Sequence, residues 1–306
     1  MKLQSILRRL LGVIPTLLIT WTVVFGAMRL VPGDPVLLML QGTPVSDEAM
    51  AAARVKLGVD RPIVVQYVGF LANAVRGDFG DSFRSRQPVT SLIAAEFPYT
   101  MQLAVGGLLI GVVLGVVLGV VAGVRSGGWI DTLCMTAALA GLSLPSFWIA
   151  MLLIQVFATE LGWVPVLGTG LNALILPSIS LGLFIAGGLA RLTRNSIIDV
   201  MQQDYIRTAH AKGLPAFLVV AKHAMRNAMI PPLTFLGIQF AVLIGGAVVT
   251  ETVFARPGIG RLLVQAVLEK DFPVVQGVVA LTTAAYVLIN VLIDIAYSII
   301  DPRVQS

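Results

Sequence analysis

The chain has 306 residues, of which 57% are hydrophobic and only 12% charged, and its mean hydropathy is +0.91. Since soluble domains carry about 25% charged residues, this composition excludes an ordinary soluble protein and indicates a multi-pass membrane protein. The formal net charge of +5 is spread along the chain, which excludes a nucleic-acid-binding surface gathered on one soluble face.

Six apolar stretches are each long enough to cross a bilayer, which takes roughly 20 residues of helix. We therefore predict an all-α integral membrane protein with six transmembrane helices, forming a single transmembrane domain over residues 1–306. The predicted spans are 10–30, 99–124, 131–158, 173–192, 232–254 and 274–299.

Lysine and arginine are concentrated in the segments on one side of these spans. That side holds eleven of them against three on the other side, when the long segment 31–97 is left out. Because cytoplasmic loops carry the excess of basic residues, we predict that both termini and the loop 193–231 are cytoplasmic.

The segment 31–97 is then external. A first short helix is predicted at 47–57, with Gly58 in the left-handed position that ends it, and a second helix is predicted to start at Pro62. These pieces are enough for a small helical cap on the external side, and too small for an independently folded domain.

Five glycines recur at every fourth position of the second predicted span. Four residues turn an α-helix through about 400°, so this repeat draws a slowly winding stripe along one face. Small residues let a second helix approach closely, and we predict a helix-packing surface; a sliding seam between helices is the functional alternative. The glycines are Gly107, Gly111, Gly115, Gly119 and Gly123.

Two acidic residues fall within predicted spans: Glu251 near the outer end of the fifth and Asp294 in the inner half of the sixth. Acids inside a membrane often line functional paths. Two isolated acids near opposite ends of the membrane form a poor proton relay, so a structural or gating role is favoured. The expected partners of Glu251 are Arg256 and Arg261.

The most informative stretch is the polar loop 193–231. Asp204 is predicted to cap a short helix, Gly213 to take the left-handed position that ends it, and Pro215 to start a second helix that stops before Pro231. A bare connector needs neither this length nor these caps, and a loop this long is usually functional. We therefore predict that it contacts a soluble partner.

The loop resembles the cytoplasmic coupling loop of the permease subunits of binding-protein-dependent ABC importers, in the peptide and nickel branch. The resemblance is carried by Asp204-Tyr-Ile-Arg-Thr-Ala-His-Ala-Lys-Gly-Leu214 and by His223-Ala-Met-Arg-Asn-Ala-Met-Ile-Pro231. Further stretches agree in the same order along nearly the whole chain: Val31-Pro-Gly-Asp-Pro35, Gly77-Asp-Phe-Gly80, Gly162-Trp-Val-Pro165, Glu251-Thr-Val-Phe-Ala-Arg-Pro-Gly-Ile-Gly-Arg261 and Asp301-Pro-Arg303.

One departure from the general motif of these importers is informative. That motif reads Glu-Ala-Ala, three residues, then Gly, whereas this chain has Arg207-Thr208-Ala209 before Gly213. The acid is missing, as is usual in the peptide branch, so no salt bridge from it is carried over to this chain. His210 stands where the branch often has arginine.

In the family, this loop inserts into a groove on a separate ATPase subunit. The resemblance implies that Ala209 and Gly213 permit close approach, and that Tyr205, Arg207 and Lys212 supply polar contacts. The full set of implied coupling residues is Asp204, Tyr205, Arg207, Thr208, Ala209, His210, Lys212, Gly213 and Leu214.

The resemblance also implies an assembly in the bacterial cytoplasmic (inner) membrane. The expected partners are a second, related permease in a hetero-oligomer, two ATPase subunits and an external solute-binding protein. The expected solutes are di- or oligopeptides, glutathione or nickel chelates, with no nucleic acid involved. This chain would form half of the translocation pathway.

The chain lacks a Gly-x-x-x-x-Gly-Lys-[Ser/Thr] phosphate cradle, and the dipeptide Gly-Lys does not occur in it. We therefore expect no enzyme activity and no cofactor in this chain, with ATP and Mg²⁺ bound by the ATPase partner. His210 and His223 are the only histidines and Cys134 is the only cysteine, so no metal site is expected.

Two other functions remain open at this level. A stand-alone carrier driven by an ion gradient would depend on Glu251 or Asp294 and be indifferent to Gly213. A membrane-anchored assembly or signalling protein would bind a partner without moving a solute.

Overall fold

A computed structural model describes residues 3–30, 36–37, 47–245 and 247–300 of the chain. Side chains are described throughout these ranges except at 3–11, 49, 53, 56, 57 and 294–300. The sequence motifs at 31–35 and 301–303 therefore lie outside the described residues. Within the described ranges the regular elements are helices, apart from one isolated bridge between Asp81 and Pro88, and the predicted all-α fold is confirmed.

The helices follow one another with short connections. Two of them contain looser π-helical turns: α6 over Ile154–Glu160 and α9 over Val219–Ala224. In chain order the helices are α1 (Leu3–Leu30), α2 (Asp47–Leu57), α3 (Ile63–Val75), α4 (Val89–Val124), α5 (Trp129–Ser143), α6 (Ser146–Glu160), α7 (Leu171–Met201), α8 (Asp204–Ala211), α9 (Ala216–Ala228), α10 (Ile230–Ile244), α11 (Val248–Val253), α12 (Ile259–Leu268) and α13 (Phe272–Ile300).

Within the described residues, four helices are long and apolar enough to cross a membrane on their own. Two further pairs qualify if each is taken as one broken span: α5 with α6, and α9 with α10. The structure therefore provides up to six spans, as the sequence predicted. The four continuous candidates are Gly12–Leu30, Val89–Val124, Leu171–Met201 and Phe272–Ile293.

The third predicted span, 131–158, is a broken span made of two helices. Helices α5 and α6 meet at an angle of 100°. Leu144, at the joint, takes an extended conformation with ψ of 137° because the ring of Pro145 disfavours helical geometry in the residue before it. The apolar run is continuous, and the proline alone marks the bend.

The bounds of the fifth predicted span, 232–254, are wrong at both ends. Its helix α10 ends at Ile244, and the apolar residues beyond form the separate short helix α11. The broken span instead gains its length from α9 at the other end, where the two helices meet at 54°. Pro231 and Pro232 supply no N–H groups and occupy the first turn of α10, so a new helix starts there.

The core of the described structure is the pair α4 and α7, which run side by side in the same direction. A Cβ atom added at Gly111 would lie 2.7 Å from Cγ2 of Ile185, closer than real side chains approach. All five glycines of the stripe are buried in this contact. The opposing pairs are Gly107 with Leu181, Gly111 with Ile185, Gly115 with Leu189, Gly119 with Thr193 and Gly123 with Ile197.

Helix α7 is the most enclosed of the long helices. Within the described residues, 61% of its most apolar membrane-length stretch is buried, against 28% of the corresponding stretch in α4 and 11% in α1. Two adjacent glycines bring neighbours on its other side into close contact. A Cβ at Gly187 would lie 2.5 Å from the carbonyl oxygen of Ala138 in α5, and one at Gly188 would lie 2.7 Å from the ring of Phe235 in α10. Helix α7 therefore positions α4, α5 and α10.

The segment 31–97, which was predicted to be external, carries the two short helices that the sequence predicted. Helix α2 ends at Gly58, which has the expected positive φ of 65°, and α3 follows directly after Pro62. The chain after α3 is fastened to the start of α13 by the buried carboxylate of Asp271. This carboxylate accepts hydrogen bonds from the hydroxyl of Ser82 at 2.5 Å and from the backbone N–H of Phe83 at 3.1 Å.

We expect Gly111→Val to lower the free energy of unfolding by about 1–3 kcal/mol, because the added methyl groups would enter space that Ile185 occupies. Thermal unfolding of the purified protein in mild detergent measures this as a lower Tm. The matched control is Gly26→Val in α1, where nothing lies within 4 Å of the added Cβ. Equal shifts in the two variants would show that close packing is not the constraint at Gly111.

Candidate functional site

The candidate site is the short helix α8 with the turn that follows it. Asp204 was expected to cap this helix, but Gln203 occupies the capping position and Asp204 is already the first helical residue. The carbonyl oxygen of Asp204 accepts a hydrogen bond from the hydroxyl of Thr208 at 3.0 Å. Its carboxylate still lies at the positive end of the helix dipole, and it is 3.7 Å from the guanidinium of Arg207.

The helix ends in the turn that the sequence predicted. Gly213 has a φ of +77°, the left-handed conformation that favours glycine. Its N–H donates to the carbonyl oxygen of His210 at 2.9 Å, and the N–H of Leu214 donates to that of Ala209 at 3.4 Å. These two bonds form a Schellman motif, which satisfies the last carbonyl groups of the helix and fixes the direction of the chain that follows.

One face of α8 is packed against its own chain. Ile206 and Ala209 are 1% and 5% exposed, in a cluster with Ile197 of α7 and with Val219 and Ala224 of α9. The expected role of Ala209 is therefore corrected. Its small side chain permits close packing inside this chain, and it is not available to a partner protein.

The opposite face of α8 and its turn is polar and exposed. Tyr205 is fixed on this surface because its hydroxyl accepts a hydrogen bond from the side-chain amide of Asn227 in α9 at 2.9 Å. Leu214 is half-buried. The exposed residues, which we call the α8 surface, are Asp204, Tyr205, Arg207, Thr208, His210, Lys212 and Gly213.

A second sequence-predicted residue, Glu251, is completely buried in α11, close to the turn that joins α11 to α12. Its carboxylate accepts hydrogen bonds from the hydroxyl of Thr100 in α4 at 2.7 Å and from the backbone N–H of Arg261 at 3.0 Å. Glycine is needed at Gly258, where a Cβ would lie 2.3 Å from the carboxyl carbon. The carboxylate therefore ties the turn to α4.

The guanidinium groups expected to pair with Glu251 point elsewhere. Arg256 donates to the side chain of Gln102 at 3.0 Å, and the side chain of Arg261 donates to the carbonyl oxygen of Ala255. The carboxylate is satisfied by a hydroxyl and by backbone N–H groups instead. Asp294, the other predicted acid, lies on α13 with its side chain outside the described residues.

Sequence reasoning missed a buried ion pair between the first turn of α5 and α7. Asp131 is 5% exposed and accepts hydrogen bonds from Nε and Nη2 of Arg194, each at 2.6 Å. The N–H of Gly127 adds a third bond at 2.9 Å. The sequence did offer a signal for this pair. Asp131 begins the third predicted span and Arg194 follows the end of the fourth, so both are predicted at the same side of the membrane.

Metal binding is not supported in the part of the chain that the structure describes. No group of three or more His, Cys, Asp or Glu side chains is placed there to hold an ion. His210 is exposed and His223 is half-buried, and they lie on different helices. The α8 surface therefore offers a polar contact surface rather than a coordination site.

Two protein-family models match the chain and together cover most of its length. The model described as "Binding-protein-dependent transport system inner membrane component" matches residues 115–306. The model described as "Binding-prot-dependent transport system membrane comp, N-term" matches residues 2–104. The second match contains the segment 31–97 with α2 and α3.

Curated relatives match over the full length. The chain is 43% identical over 304 residues to the glutathione transport system permease protein GsiC of Salmonella typhimurium (strain LT2) and to that of Escherichia coli (strain K12). Each match covers 99% of this chain and 99% of the relative. The whole domain is therefore shared with these proteins.

Solved transporter structures share the fold at low identity. The MetNI methionine ABC transporter, in an inward-facing conformation, matches with a TM-score of 0.56 and 17% identity over 69% of this chain and 96% of that chain. A crystal structure of an amino acid ABC transporter with histidines matches with a TM-score of 0.54 and 16% identity over 68% and 94%.

The pair Asp131 and Arg194 makes a testable contribution to stability. We expect Asp131→Ala and Arg194→Ala each to lower the free energy of unfolding by about 1–3 kcal/mol, because each leaves a mostly buried charge without its partner. The double variant should lose clearly less than the sum of the two. Denaturation in detergent measures all three.

The exposed pair Arg84 and Glu269 is the matched control, since their side chains are 53% and 46% exposed. Its coupling energy should be below about 1 kcal/mol. Additive effects at Asp131 and Arg194 would contradict the energetic coupling that the geometry indicates.

Proposed function

The chain belongs to the family of binding-protein-dependent transport system inner membrane components, the permease subunits of ABC importers, and we propose that it imports glutathione or a related peptide. The support for this solute class is 43% identity to the GsiC proteins over 99% of both chains. Di- and oligopeptides and nickel chelates are the other solutes of the branch that the loop 193–231 resembles.

A permease of this family works with a solute-binding protein and an ATPase. We propose the complete assembly as this chain, a second related permease, two ATPase subunits that hold ATP and Mg²⁺, and an external binding protein. Up to six spans from this chain would line one half of the pathway. The excess of lysine and arginine supports cytoplasmic termini and a cytoplasmic α8.

The single observation that carries the proposed coupling role is the two-sided construction of α8. Its buried face, with Ile206 and Ala209, fixes the helix to α7 and α9, while the α8 surface remains free for a partner. A helix that served only as a connector would need neither this packing nor this cap. We propose that the α8 surface docks into a groove on the ATPase.

The packing also provides a route for the motion. Helix α8 shares one apolar cluster with the end of α7 and with α9, so a displacement of α8 by the ATPase would move all three. Helix α9 continues across a 54° bend into α10, which contacts α13 where Ile293 packs against Gly237. Nucleotide-driven closure of the ATPases would in this way reach the membrane helices.

Gly213 allows a direct test. Gly213→Pro should abolish coupling, because proline cannot adopt a φ of +77° and removes the N–H that bonds to His210. Gly213→Ala should weaken coupling less, through a strain of roughly 1–2 kcal/mol in the left-handed turn. Co-purification of the ATPase, ATP hydrolysis and peptide uptake are the three readouts.

The matched controls are Gly162→Pro and Gly162→Ala in the loop between α6 and α7. Gly162 has a similar φ of +63°, and an added Cβ there also meets nothing within 4 Å. ATPase association should survive in these controls. Normal association, hydrolysis and uptake in Gly213→Pro would reject the coupling role of α8.

A further inference from the structure

A groove lies on the side of α7 that faces away from α4. Two adjoining cavities of about 470 and 440 Å³ form it, and both are lined by Arg191 and Asn195 of α7. The first cavity lies against Thr132 and Thr136 of α5, and the second reaches Phe235 of α10. Arg191 therefore stands in the middle of one continuous groove between α5, α7 and α10.

The charges in this groove do not cancel. The carboxylate of Asp131 is already taken by Arg194 through two bonds of 2.6 Å. The guanidinium of Arg191 makes no ion pair or hydrogen bond with any other residue that the structure describes. One positive charge thus remains available to a molecule that enters the groove.

The other polar groups around Arg191 are also suited to an anion. The side-chain oxygen of Asn195 accepts a bond from Arg194 at 3.3 Å, which leaves its amide N–H groups as donors. Thr136 of α5 lines the groove on the wall opposite α7. Arginine binds carboxylates through two parallel hydrogen bonds, and amide and hydroxyl donors extend such a site.

The position of the groove connects it with transport. Helix α7 is the most enclosed of the long helices, and Arg191 and Asn195 are among its few exposed side chains. Their exposure leaves both polar groups accessible to a solute that enters the groove. The groove is open to its surroundings, and the part lined by Thr132 and Thr136 has a volume of about 470 Å³.

We propose that Arg191 binds a carboxylate group of the solute in this groove and so favours anionic peptides. The inference rests on the proposed function, because glutathione and other acidic peptides carry more carboxylates than amines. It adds to that function a residue that sets solute preference at the end of the pathway nearest the loop 193–231.

Peptide uptake tests the preference. Two peptides of equal length, one with a Glu side chain and one with Gln at the same position, are compared in vesicles that contain the complete transporter. In Arg191→Gln we expect KM for the Glu peptide to rise about tenfold, with little change for the Gln peptide. Arg191→Lys keeps the charge and should retain most of the preference.

The control is Arg125→Gln, an exposed arginine at the end of α4 that lies outside the groove. Equal changes for both peptides in Arg191→Gln would overturn the proposal, and so would changes that depend on the content of anionic lipid in the vesicles. Failure of the unaltered transporter to move either peptide would count against the proposed solute class instead.

A binding measurement that needs no transport tests the site separately. In a Cys134→Ala background, Thr136→Cys places a single thiol on the wall of the groove. Glutarate should slow the reaction of this thiol with a charged thiol reagent, whereas glutaramide should not, and Arg191→Gln should remove the protection. Protection that is unchanged by Arg191→Gln, or absent with glutarate, would overturn the proposal.

Discussion

The close approach of α4 and α7 is the constraint on which the rest of the structure depends. Inside a bilayer, lipid tails are as apolar as leucine, so two helices associate through tight packing rather than through exclusion of water. The glycine stripe of α4 gives α7 a smooth surface with a side chain such as Ile185 seated over each gap. Once α7 is held on this side, Gly187 and Gly188 place α5 and α10 on the others.

Three buried carboxylates in the described part of the chain join elements that are distant in sequence. Asp271 fastens the chain after α3 to α13, Glu251 ties the turn before α12 to α4, and Asp131 joins α5 to α7. Each accepts at least two hydrogen bonds, which offsets the cost of removing a charge from water. The three buried carboxylates among the described residues thus each have a role in assembly.

Much of this architecture could be predicted from the sequence because it follows from local rules. The apolar lengths, the end of α2 at Gly58 and the left-handed turn at Gly213 each depend on a few neighbouring residues. The bend at Pro145 is local too, since proline disfavours helical geometry at Leu144, whereas the burial of Ala209 depends on which helices meet in space. The side-chain partners predicted for Glu251 were wrong for the same reason. Its carboxylate bonds to backbone N–H groups, which carry no signal in the sequence.

The seam between α4 and α7 restricts how these two helices can move past each other. Glycines on one helix and larger side chains on the other both recur every four residues, a distance of about 6 Å along the axis. A slide by a whole repeat would bring each side chain over a new glycine, whereas a shorter slide would press Leu189 against the valines between glycines. The packing along this seam therefore opposes any slide shorter than one repeat. Smaller motions must carry α4 and α7 together as one body.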